Sequence, residues 1–474
     1  MGINEALLDQ KLAELEKSRA WSPRLVSKLE SLIRSPDEEQ LFRINPLQFA
    51  KERNISESES IDLFLHASNS GLFQINWELV CPQCGDHINS FSHLQSLDTQ
   101  FFCQLCSLKS EASMDDFIQV NFTISESIRP IAFHFPEKLS LEDLWAKARF
   151  SREGHYPDGA RFGESVFRTA RGHGYIEPGT SAAFDIELES GGLFAHDLLM
   201  NKGFFIPVGD ARSAAPQHLS VLYHDGDYVI DQTQLSSGPS IVRVENPSTD
   251  RCSLAFFNIA NDTVKQPIVF DPFLTGKRLL TSQTFRDLFR NEVIRGTEGI
   301  TVKDLTILFT DLKGSTDLYE RIGDLQAFSL INQHFDSLGK VIAELDGAIV
   351  KTMGDAIMAV FMSPTSGLEA GFRMLKAINF FNELHQSRDL ILKIGLHRGA
   401  TIAITSNDRL DYFGQTVNIA SRVQSLAEAD EIYITKDIHE YPGIPDMLRD
   451  KQVYPQDAQL KGIQRKVKVY KIRV

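Results

Sequence analysis

The spacing of apolar residues changes along this chain of 474 residues, and each change restricts what a segment can fold into. Up to about residue 78, apolar residues recur at helical intervals. From about 115 to 270 they alternate with a period of two, as at Phe184 and Ile186, which is typical of half-buried strands. After residue 300, strand-like and helix-like segments alternate, which indicates a mixed α/β (α+β) fold.

These patterns, together with two closely spaced pairs of cysteines at 81/84 and 103/106, predict five regions: a helical N-terminal region, a zinc ribbon, an all-β sandwich-like regulatory domain, a transducer helix or linker, and a C-terminal α/β domain. The predicted boundaries, in that order, are 1–78, 79–112, 113–270, 271–300 and 301–474.

The central region carries strand and turn signals but no cluster of residues typical of a catalytic site. Val120, Phe122 and Ile124 alternate in the manner of a strand at its start. Asp225-Gly226 predicts a tight hairpin turn, because both residue types tolerate positive φ angles. Asn246-Pro247 predicts a second hairpin. Sensing, dimerisation and simple spacing all remain open as roles for this region.

The segment between the two larger domains predicts one short amphipathic helix. Phe285, Leu288, Phe289 and Val293 share a face, and Gly296 would end the helix. Two interpretations remain open. The helix either packs on its own domain or contacts a second copy and transmits the state of the N-terminal half.

Four of the five cysteines form two tight pairs, and Cys252 stands alone. Eighteen residues separate Cys84 of the first pair from Cys103 of the second. This spacing is typical of a zinc ribbon, in which two knuckles supply four thiolates to one structural Zn²⁺ per chain. Unligated thiols or a redox pair are the alternatives. The predicted ligands are Cys81, Cys84, Cys103 and Cys106.

Composition excludes several classes of partner. The formal net charge of −14 argues against a broad nucleic-acid-binding surface, although the stretch around Ser60 could pass for part of a winged helix. The sequence contains no apolar run of the roughly 18 residues that span a bilayer, and its first residues are too charged for a signal peptide. We therefore expect a cytoplasmic protein that binds neither nucleic acid nor membrane.

Two aspartates occupy unusual positions in the C-terminal region. Asp311 follows the apolar run 305–309 in "FTDLKGST", and Asp355 sits at the predicted hairpin tip in "AIVKTMGDAIMAVF". Taken singly, each could be a cap or turn residue. Two carboxylates that end buried strands would repel each other unless cations lie between them. A pair of divalent ions about 3.5–4 Å apart satisfies that requirement and can drive in-line attack on phosphorus.

"FTDLKGST", "VKTMGDAIMAVF" and "DYFGQTVNIASR", in that order, resemble the class III nucleotidyl cyclase catalytic domain, and the likeness covers residues 303–474. The resemblance implies a ferredoxin-like palm that works as a head-to-tail homodimer with two composite sites. It implies that Asp311 and Asp355 hold two Mg²⁺ or Mn²⁺ ions per site, with the carbonyl of Leu312 completing one shell. It also implies phosphate contacts from the backbone N–H groups of Gly314, Ser315 and Thr316.

The same resemblance implies how the substrate is read. Lys351 and Asp411 match the pair that recognises adenine, which points to ATP. Asn418 and Arg422, four apart on one helical face, would position the ribose and stabilise charge on the α-phosphoryl group. Lys461 matches a triphosphate-binding lysine, with a plain surface lysine as the alternative. Arg398 stands where similar domains have a small hydroxyl residue, a departure outside the motifs.

The sequence therefore predicts an adenylyl cyclase that forms 3′,5′-cyclic AMP and pyrophosphate from ATP and is regulated through its N-terminal half by an unidentified ligand or protein. The alternatives are cyclisation of GTP or a pyrimidine nucleotide, a nucleotide-sensing pseudo-cyclase, and a zinc-ribbon adaptor. Asp311, a water molecule and the substrate itself remain open as the general base.

Overall fold

The computed structural model describes residues 2–106, 108–259, 268–294, 299–386 and 389–473, without the side chain of Thr316. Within them the chain has a mixed α/β fold: helices come first, a β-rich region follows, and an α/β region forms the C-terminus. In the part of the chain that is described, no helix is both long and apolar enough to cross a membrane.

The N-terminal helices begin at side-chain caps and bury one apolar stripe each. The Asn4 side chain accepts a hydrogen bond from the Leu7 amide, and the Ser56 side chain accepts one from the Glu59 amide. Leu8 and Leu15 of the first helix are buried, as the helical spacing predicts. The helices are α1 (Glu5–Ser18), α2 (Leu25–Ile33), α3 (Pro46–Arg53) and α4 (Glu57–Asn69).

A small antiparallel sheet and a hairpin follow these helices. They contain β1 (Phe73–Val80), β2 (His87–Phe91), β3 (Gln100–Cys103), β4 (Leu108–Glu111) and β5 (Ile118–Ile124). The sheet has the order β2-β1-β5, and β3 pairs with β4. Val120, Phe122 and Ile124 therefore belong to the N-terminal sheet and not to the sandwich-like region, since β5 pairs with β1 along its length. Alternation reveals a strand, but it does not reveal which strand is its neighbour.

The central region, the sandwich-like region of the sequence prediction, is rich in strands, as the period of two predicts. Its elements are β6 (Gly154–His155), α5 (Phe162–Phe167), β7 (Ala170–Ile176), β8 (Thr180–Leu188), β9 (Gly191–Asp197), β10 (Lys202–Arg212), β11 (Gln217–His224), β12 (Asp227–Ile230), β13 (Leu235–Asn246), β14 (Cys252–Ile259) and β15 (Val269–Phe270). The main sheet path runs β12-β11-β13-β10-β9-β14-β7, with β8 paired to β13. Residues from both ends of this path enclose one apolar core.

The two predicted turns of this region differ in outcome. Asp225 and Gly226, with φ angles of 51° and 78°, join β11 to β12 in an antiparallel hairpin, so this prediction is confirmed. The hairpin predicted at Asn246-Pro247 is wrong. The strand β13 pairs with β8, β10 and β11, whereas β14 pairs with β7 and β9. The two strands that flank this turn therefore do not form a hairpin with each other.

Two short helices, α6 (Gly276–Leu280) and α7 (Gln283–Leu288), lead to the C-terminal region. The predicted helix extends further than the observed one, because α7 ends before Phe289 and Val293 lies beyond it. The Glu292 carboxylate accepts a hydrogen bond from the Leu94 amide at 2.7 Å, which directs this segment toward the ribbon. Gly296, the predicted helix stop, lies outside the described residues.

The C-terminal region is one mixed sheet with helices. Its elements are β16 (Ile300–Leu312), α8 (Ser315–Ile322), α9 (Asp324–Glu344), β17 (Ala348–Met353), β18 (Ala356–Phe361), α10 (Pro364–Leu384), β19 (Leu392–Ser406), β20 (Arg409–Phe413), α11 (Gln415–Gln424), β21 (Glu431–Thr435), α12 (Lys436–His439), α13 (Ile444–Met447), β22 (Gln452–Ala458) and β23 (Val467–Arg473). The order is β17-β18-β16-β19-β21-β23-β22, with β20 paired to β19.

The two faces of this sheet have different cores. Leu308 points into a core shared with residues of α9 and α10. Ile307 and Phe309, on the opposite face, belong to a core that is continuous with Trp77 and Phe285 of the N-terminal half. Because side chains alternate along a strand, Asp311 lies on the same face as Ile307 and Phe309, at the end of β16.

Candidate active site

Asp311 and Asp355 lie together at the end of β16. Asp311 is the residue before the last of this strand, and the backbone N–H of Leu312 donates to the Asp355 carboxylate at 3.3 Å. Asp355 follows Gly354, whose φ of 63° closes the turn between β17 and β18. The strand end and the hairpin tip therefore present their carboxylates to the same place.

A cation that the sequence analysis did not identify neutralises Asp311. Lys393 faces Asp311 across the β16–β19 pairing, and its Nζ lies 2.5 Å from Asp311 Oδ2. Both side chains are half-buried. The available signal was a single lysine inside the apolar run "LILKIG". A divalent ion at Asp311 would compete with this ammonium for the same carboxylate.

The oxygen ligands at this point suit Mg²⁺ or Mn²⁺. Two carboxylates and the backbone carbonyl of Leu312 are all hard oxygen donors, which these ions prefer. The site has access to solvent, because the Asp311 side chain is 31% exposed. Asp311, Leu312 and Asp355 therefore form a donor set that fits such ions.

The start of α8 offers backbone donors beside the two aspartates. Gly314 has a φ of 75° and precedes the helix, and no side chain caps the first turn. The N–H groups of a helix start that lack a side-chain acceptor favour anions. Ser315 is the first residue of α8, whereas the side chain of Thr316 lies outside the described set.

Lys351 and Asp411 are joined although sixty residues separate them. Lys351 Nζ lies 2.5 Å from Asp411 Oδ2. The other carboxylate oxygen of Asp411 accepts from the Tyr412 amide at 2.8 Å, which holds the group in place. The pair thus presents one donor and one acceptor side by side, on β17 and β20.

Asn418, Arg422 and Lys461 form a separate, exposed set. Asn418 and Arg422 project from α11, while Ile419 and Val423 of the same helix are buried. Lys461 lies in the loop between β22 and β23. Within the described residues, none of these three side chains makes a hydrogen bond or an ion pair. Within the described residues of one chain, these three side chains therefore have no polar contact with Asp311, Asp355 or Lys351.

Arg398, the departure from the cyclase pattern, has a local partner. Its guanidinium makes two hydrogen bonds to the Asp304 carboxylate, at 2.7 and 2.8 Å, and lies 4.8 Å from the Tyr441 ring centre. This bidentate pair fastens β16 to β19, which is a packing role.

The four cysteines that lie close together in sequence, two by two, form a separate cluster of free thiols in the N-terminal half. The ligand atoms of Cys81, Cys84, Cys103 and Cys106 all lie within 4.8 Å of one another, and the Sγ atoms of Cys84 and Cys103 are 3.6 Å apart. A tetrahedron with Zn–S bonds of about 2.3 Å has edges of about 3.8 Å, so this spacing fits one Zn²⁺.

A buried polar contact connects this cluster to the sandwich-like region. Asp86 follows the first knuckle and accepts a hydrogen bond from Arg149 at 2.8 Å. The same guanidinium contacts His196 of β9 and donates to Asn201 at 3.3 Å. Burial raises the pKa of Asp86, and the charge of Arg149 opposes that rise.

Two family models match the chain in separate parts. Residues 8–287 match a family of unknown function, DUF5939. Residues 300–473 match the adenylate and guanylate cyclase catalytic domain. The expected resemblance of the C-terminal region is therefore confirmed.

Individual relatives match about a third of the chain. An adenylate cyclase of Anabaena cylindrica is 28% identical over 199 residues, which covers 38% of this chain and 39% of the relative. Atrial natriuretic peptide receptor 2 of Anguilla japonica is 31% identical over 174 residues, covering 33% of this chain and 16% of the receptor. The chain thus spans well under half the length of these relatives.

Among solved structures, the adenylyl cyclase CyaB from P. aeruginosa is similar to 37% of this chain, over 96% of its own length. The sequence identity is 24% and the TM-score is 0.33.

Proposed function

We propose that this chain, which belongs to the family of unknown function DUF5939 and ends in a class III nucleotidyl cyclase catalytic domain, is an adenylyl cyclase that converts ATP to 3′,5′-cyclic AMP and pyrophosphate. The observation that carries the proposal is the contact between Lys351 and Asp411 in a domain whose strand ends present Asp311 and Asp355.

The base preference follows from hydrogen-bond chemistry. The Lys351 ammonium donates to adenine N1, and the Asp411 carboxylate accepts from the exocyclic amine. Guanine presents the opposite pattern, a carbonyl and a protonated ring nitrogen, so both contacts would be unfavourable. A site built to satisfy one pattern leaves buried polar groups unpaired with the other. Both adenylate and guanylate cyclases occur among the relatives, so the proposal depends on this pair of residues.

Asp311 and Asp355, with the Leu312 carbonyl, would hold two Mg²⁺ or Mn²⁺ ions. Bound there, the ions would lower the pKa of the ribose 3′-hydroxyl and neutralise the triphosphate. The N–H groups of Gly314, Ser315 and Thr316 would orient the phosphate chain at the start of α8. Lys461, exposed in its loop, would contact the triphosphate.

We propose that Asn418 and Arg422 act on a substrate held by the other protomer of a homodimer. Both side chains are exposed, and within the described residues both lack polar partners, so they are free to enter a site on a second copy. Asn418 would hold the ribose. Arg422 would stabilise the charge that develops on the α-phosphoryl group in the transition state.

The N-terminal half would regulate this reaction. Its division into a helical region, a ribbon holding one structural Zn²⁺, a sandwich-like domain and a linker is part of the proposal. The cysteine cluster supports the zinc site, and the core that Ile307 shares with Trp77 supports coupling to the catalytic sheet.

The test is incubation of the purified chain with ATP, GTP, CTP or UTP, each with Mg²⁺ or Mn²⁺, and identification of the products by mass spectrometry. We expect cyclic AMP from ATP, and no product from the Asp311→Ala, Asp355→Ala double variant. Cyclic GMP or a cyclic pyrimidine nucleotide as the main product would contradict the base assignment. Tight nucleotide binding without any product would favour a sensing pseudo-cyclase.

A further inference from the structure

One turn of helix α7 contacts both strands that carry the proposed base-reading residues. Gln283 Oε1 accepts a hydrogen bond from the backbone N–H of Ile349 at 2.8 Å. Arg286 Nη1 donates to the backbone carbonyl of Leu410 at 2.9 Å. Gln283 and Arg286 are three residues apart, so both project from one face of the helix.

These two contacts lie next to the base-reading pair. Ile349 precedes Lys351 by two residues on β17, the edge strand of the sheet. The pairing of β17 with β18 shifts register between Ile349 and Lys351, so the sheet holds this stretch less regularly. Leu410 directly precedes Asp411 on β20. Side chains of α7 thus hold the backbone on both sides of the Lys351–Asp411 contact.

The N-terminal half determines where α7 sits. Phe285 is fully buried, with its ring centre 6.0 Å from that of Trp77 on β1. On the adjacent face, the Arg286 guanidinium lies 5.3 Å from the centre of the Tyr412 ring, and its Nε donates to the Leu280 carbonyl at 2.9 Å. A shift of the N-terminal sheet would therefore move α7 and, through it, the strands β17 and β20.

Close packing accompanies these hydrogen bonds on one side of α7 only, where Phe285, Leu410 and Tyr412 share an apolar core. A cleft of about 290 Å³ separates α7 from the two strands, and Gln283, Arg286, Lys351 and Leu410 all line it. Where side chains do not fill the space, the separation of backbone segments depends on the polar contacts that cross it.

We propose that Gln283 and Arg286 are positioning residues for base recognition, through which the N-terminal half sets the affinity of the catalytic domain for the purine. The inference rests on the proposed assignment of Lys351 and Asp411 as the adenine-reading pair. In this proposal both residues act through the strands that carry the pair.

The test compares Gln283→Leu and Arg286→Met with the wild type in steady-state assays with ATP and GTP. We expect each variant to raise the KM for ATP by about fivefold, the effect of losing one hydrogen bond. The kcat should change by less than about twofold, and the preference for ATP over GTP should fall by about the same factor as the affinity. Arg286→Lys keeps a donor for the Leu410 carbonyl and should stay closer to the wild-type KM than Arg286→Met.

Arg290→Met is the matched control. Arg290 lines the same cleft, but among the described residues its Nε donates only to the Asp287 carbonyl of its own segment. Thermal melting of each variant shows whether it is folded. If the wild type forms cyclic AMP while both variants keep its KM and base preference, this inference is wrong and the proposed function stands. A loss of kcat at unchanged KM would also overturn it. A wild type without ATP turnover overturns both.

Discussion

At the level of single residues, two carboxylates of the candidate site are each paired with a lysine. Asp311 is paired with Lys393 and Asp411 with Lys351, and all four side chains retain some exposure, from 12% to 39%. Ion pairs with solvent access contribute only about 0–1 kcal/mol each, so a ligand with complementary charge can displace them readily. The pairs keep the carboxylates oriented before substrate arrives without making its entry costly.

The proposed base-reading role of Lys351 and Asp411 predicts that specificity can be exchanged. The double variant Lys351→Glu, Asp411→Cys reverses the donor and acceptor pattern, so the ratio of GTP to ATP turnover should rise by about tenfold or more. The measurement is kcat/KM for both nucleotides. Lys436→Glu with Glu440→Lys, an exposed ion pair at the end of α12, is the control at a distant surface position and should leave the ratio unaltered. An unchanged ratio in the Lys351 and Asp411 variant would disprove the assignment.

At the level of elements, the two cysteine knuckles are held together by short loops and buried side chains. Cys81, Cys84 and Cys103 are buried, and Cys106 is half-buried. Since metal binding is coupled to folding in such small modules, the ribbon should depend on its ion. The Asp86–Arg149 contact would carry any loosening of the ribbon toward the sandwich-like region.

Removing one thiolate tests the ribbon. Cys103→Ser should reduce bound zinc from one ion per chain to about 0.2 or less and lower the melting temperature by about 5–10 °C. The chemical step should persist, because the cluster lies outside the catalytic domain. Cys252→Ala, a buried cysteine outside the cluster, is the control and should keep its zinc. Elemental analysis gives the answer, and a wild-type protein purified without zinc would refute the site.

A buried histidine makes helix α9 sensitive to acid. His334 is fully buried, neither ring nitrogen has a hydrogen-bond partner within the described residues, and burial lowers its pKa to about 4. The unfolded chain binds this proton near pH 6.5, whereas the folded chain does so only near pH 4. Its contribution to stability is therefore complete above pH 6.5 and is lost as the pH falls from there toward 4, by roughly 3 kcal/mol.

The melting temperature at pH 7.5 and pH 5.0 tests this expectation. His334→Leu should show a smaller decrease on acidification than the wild type, while the exposed His224→Leu should match the wild type. Burial also lowers the pKa of His397 to about 4, so some acid sensitivity should persist in the variant. Equal decreases in all three proteins would show that His334 does not titrate as its burial requires.

At the level of the whole molecule, one apolar core joins the N-terminal half to the catalytic sheet. Trp77 and Phe285 share this core with Ile307 and Phe309 of β16. Because close-packed interiors transmit displacement, we expect a shift in one half to reach the other. Asp311 remains accessible at the far end of the same strand, where a second copy can complete the site.

Mixed dimers test whether the site is shared between protomers. Asp311→Ala and Asn418→Ala should each be nearly inactive, since a symmetric dimer of either variant damages both sites. In a mixed dimer one site collects both lesions and the other has neither. Random exchange of equal amounts makes about half the dimers mixed, so about a quarter of wild-type activity should return.

The readout is cyclic AMP formed after mixing, with subunit exchange verified by differential tags. Mixing Asp311→Ala with Asp355→Ala is the control, because both lesions lie in the same set and no intact site can form. Exchange of tags with activity at background would establish a site built within one chain.

What the sequence alone determined is local. The hairpin at Asp225-Gly226 follows from the backbone preferences of two adjacent residues. The strand end at Asp311 and the cysteine cluster follow from spacings that permit few arrangements. The order of the three motifs also identified the catalytic domain. The motif residues lie near the starts and ends of helices and strands, and the spacing of apolar residues indicates where those elements are.

Only the tertiary structure decided which distant surfaces meet. The pairing of β5 with β1, the ion pair of Lys393 with Asp311, and the contact of Arg286 with Leu410 each join segments of the chain that are far apart in sequence. The spacing of apolar residues and the conformational preferences of single residues describe one helix or strand at a time. Which elements pack against each other depends on which apolar faces bury one another in the complete fold. That choice placed helix α7 against the strands that carry Lys351 and Asp411.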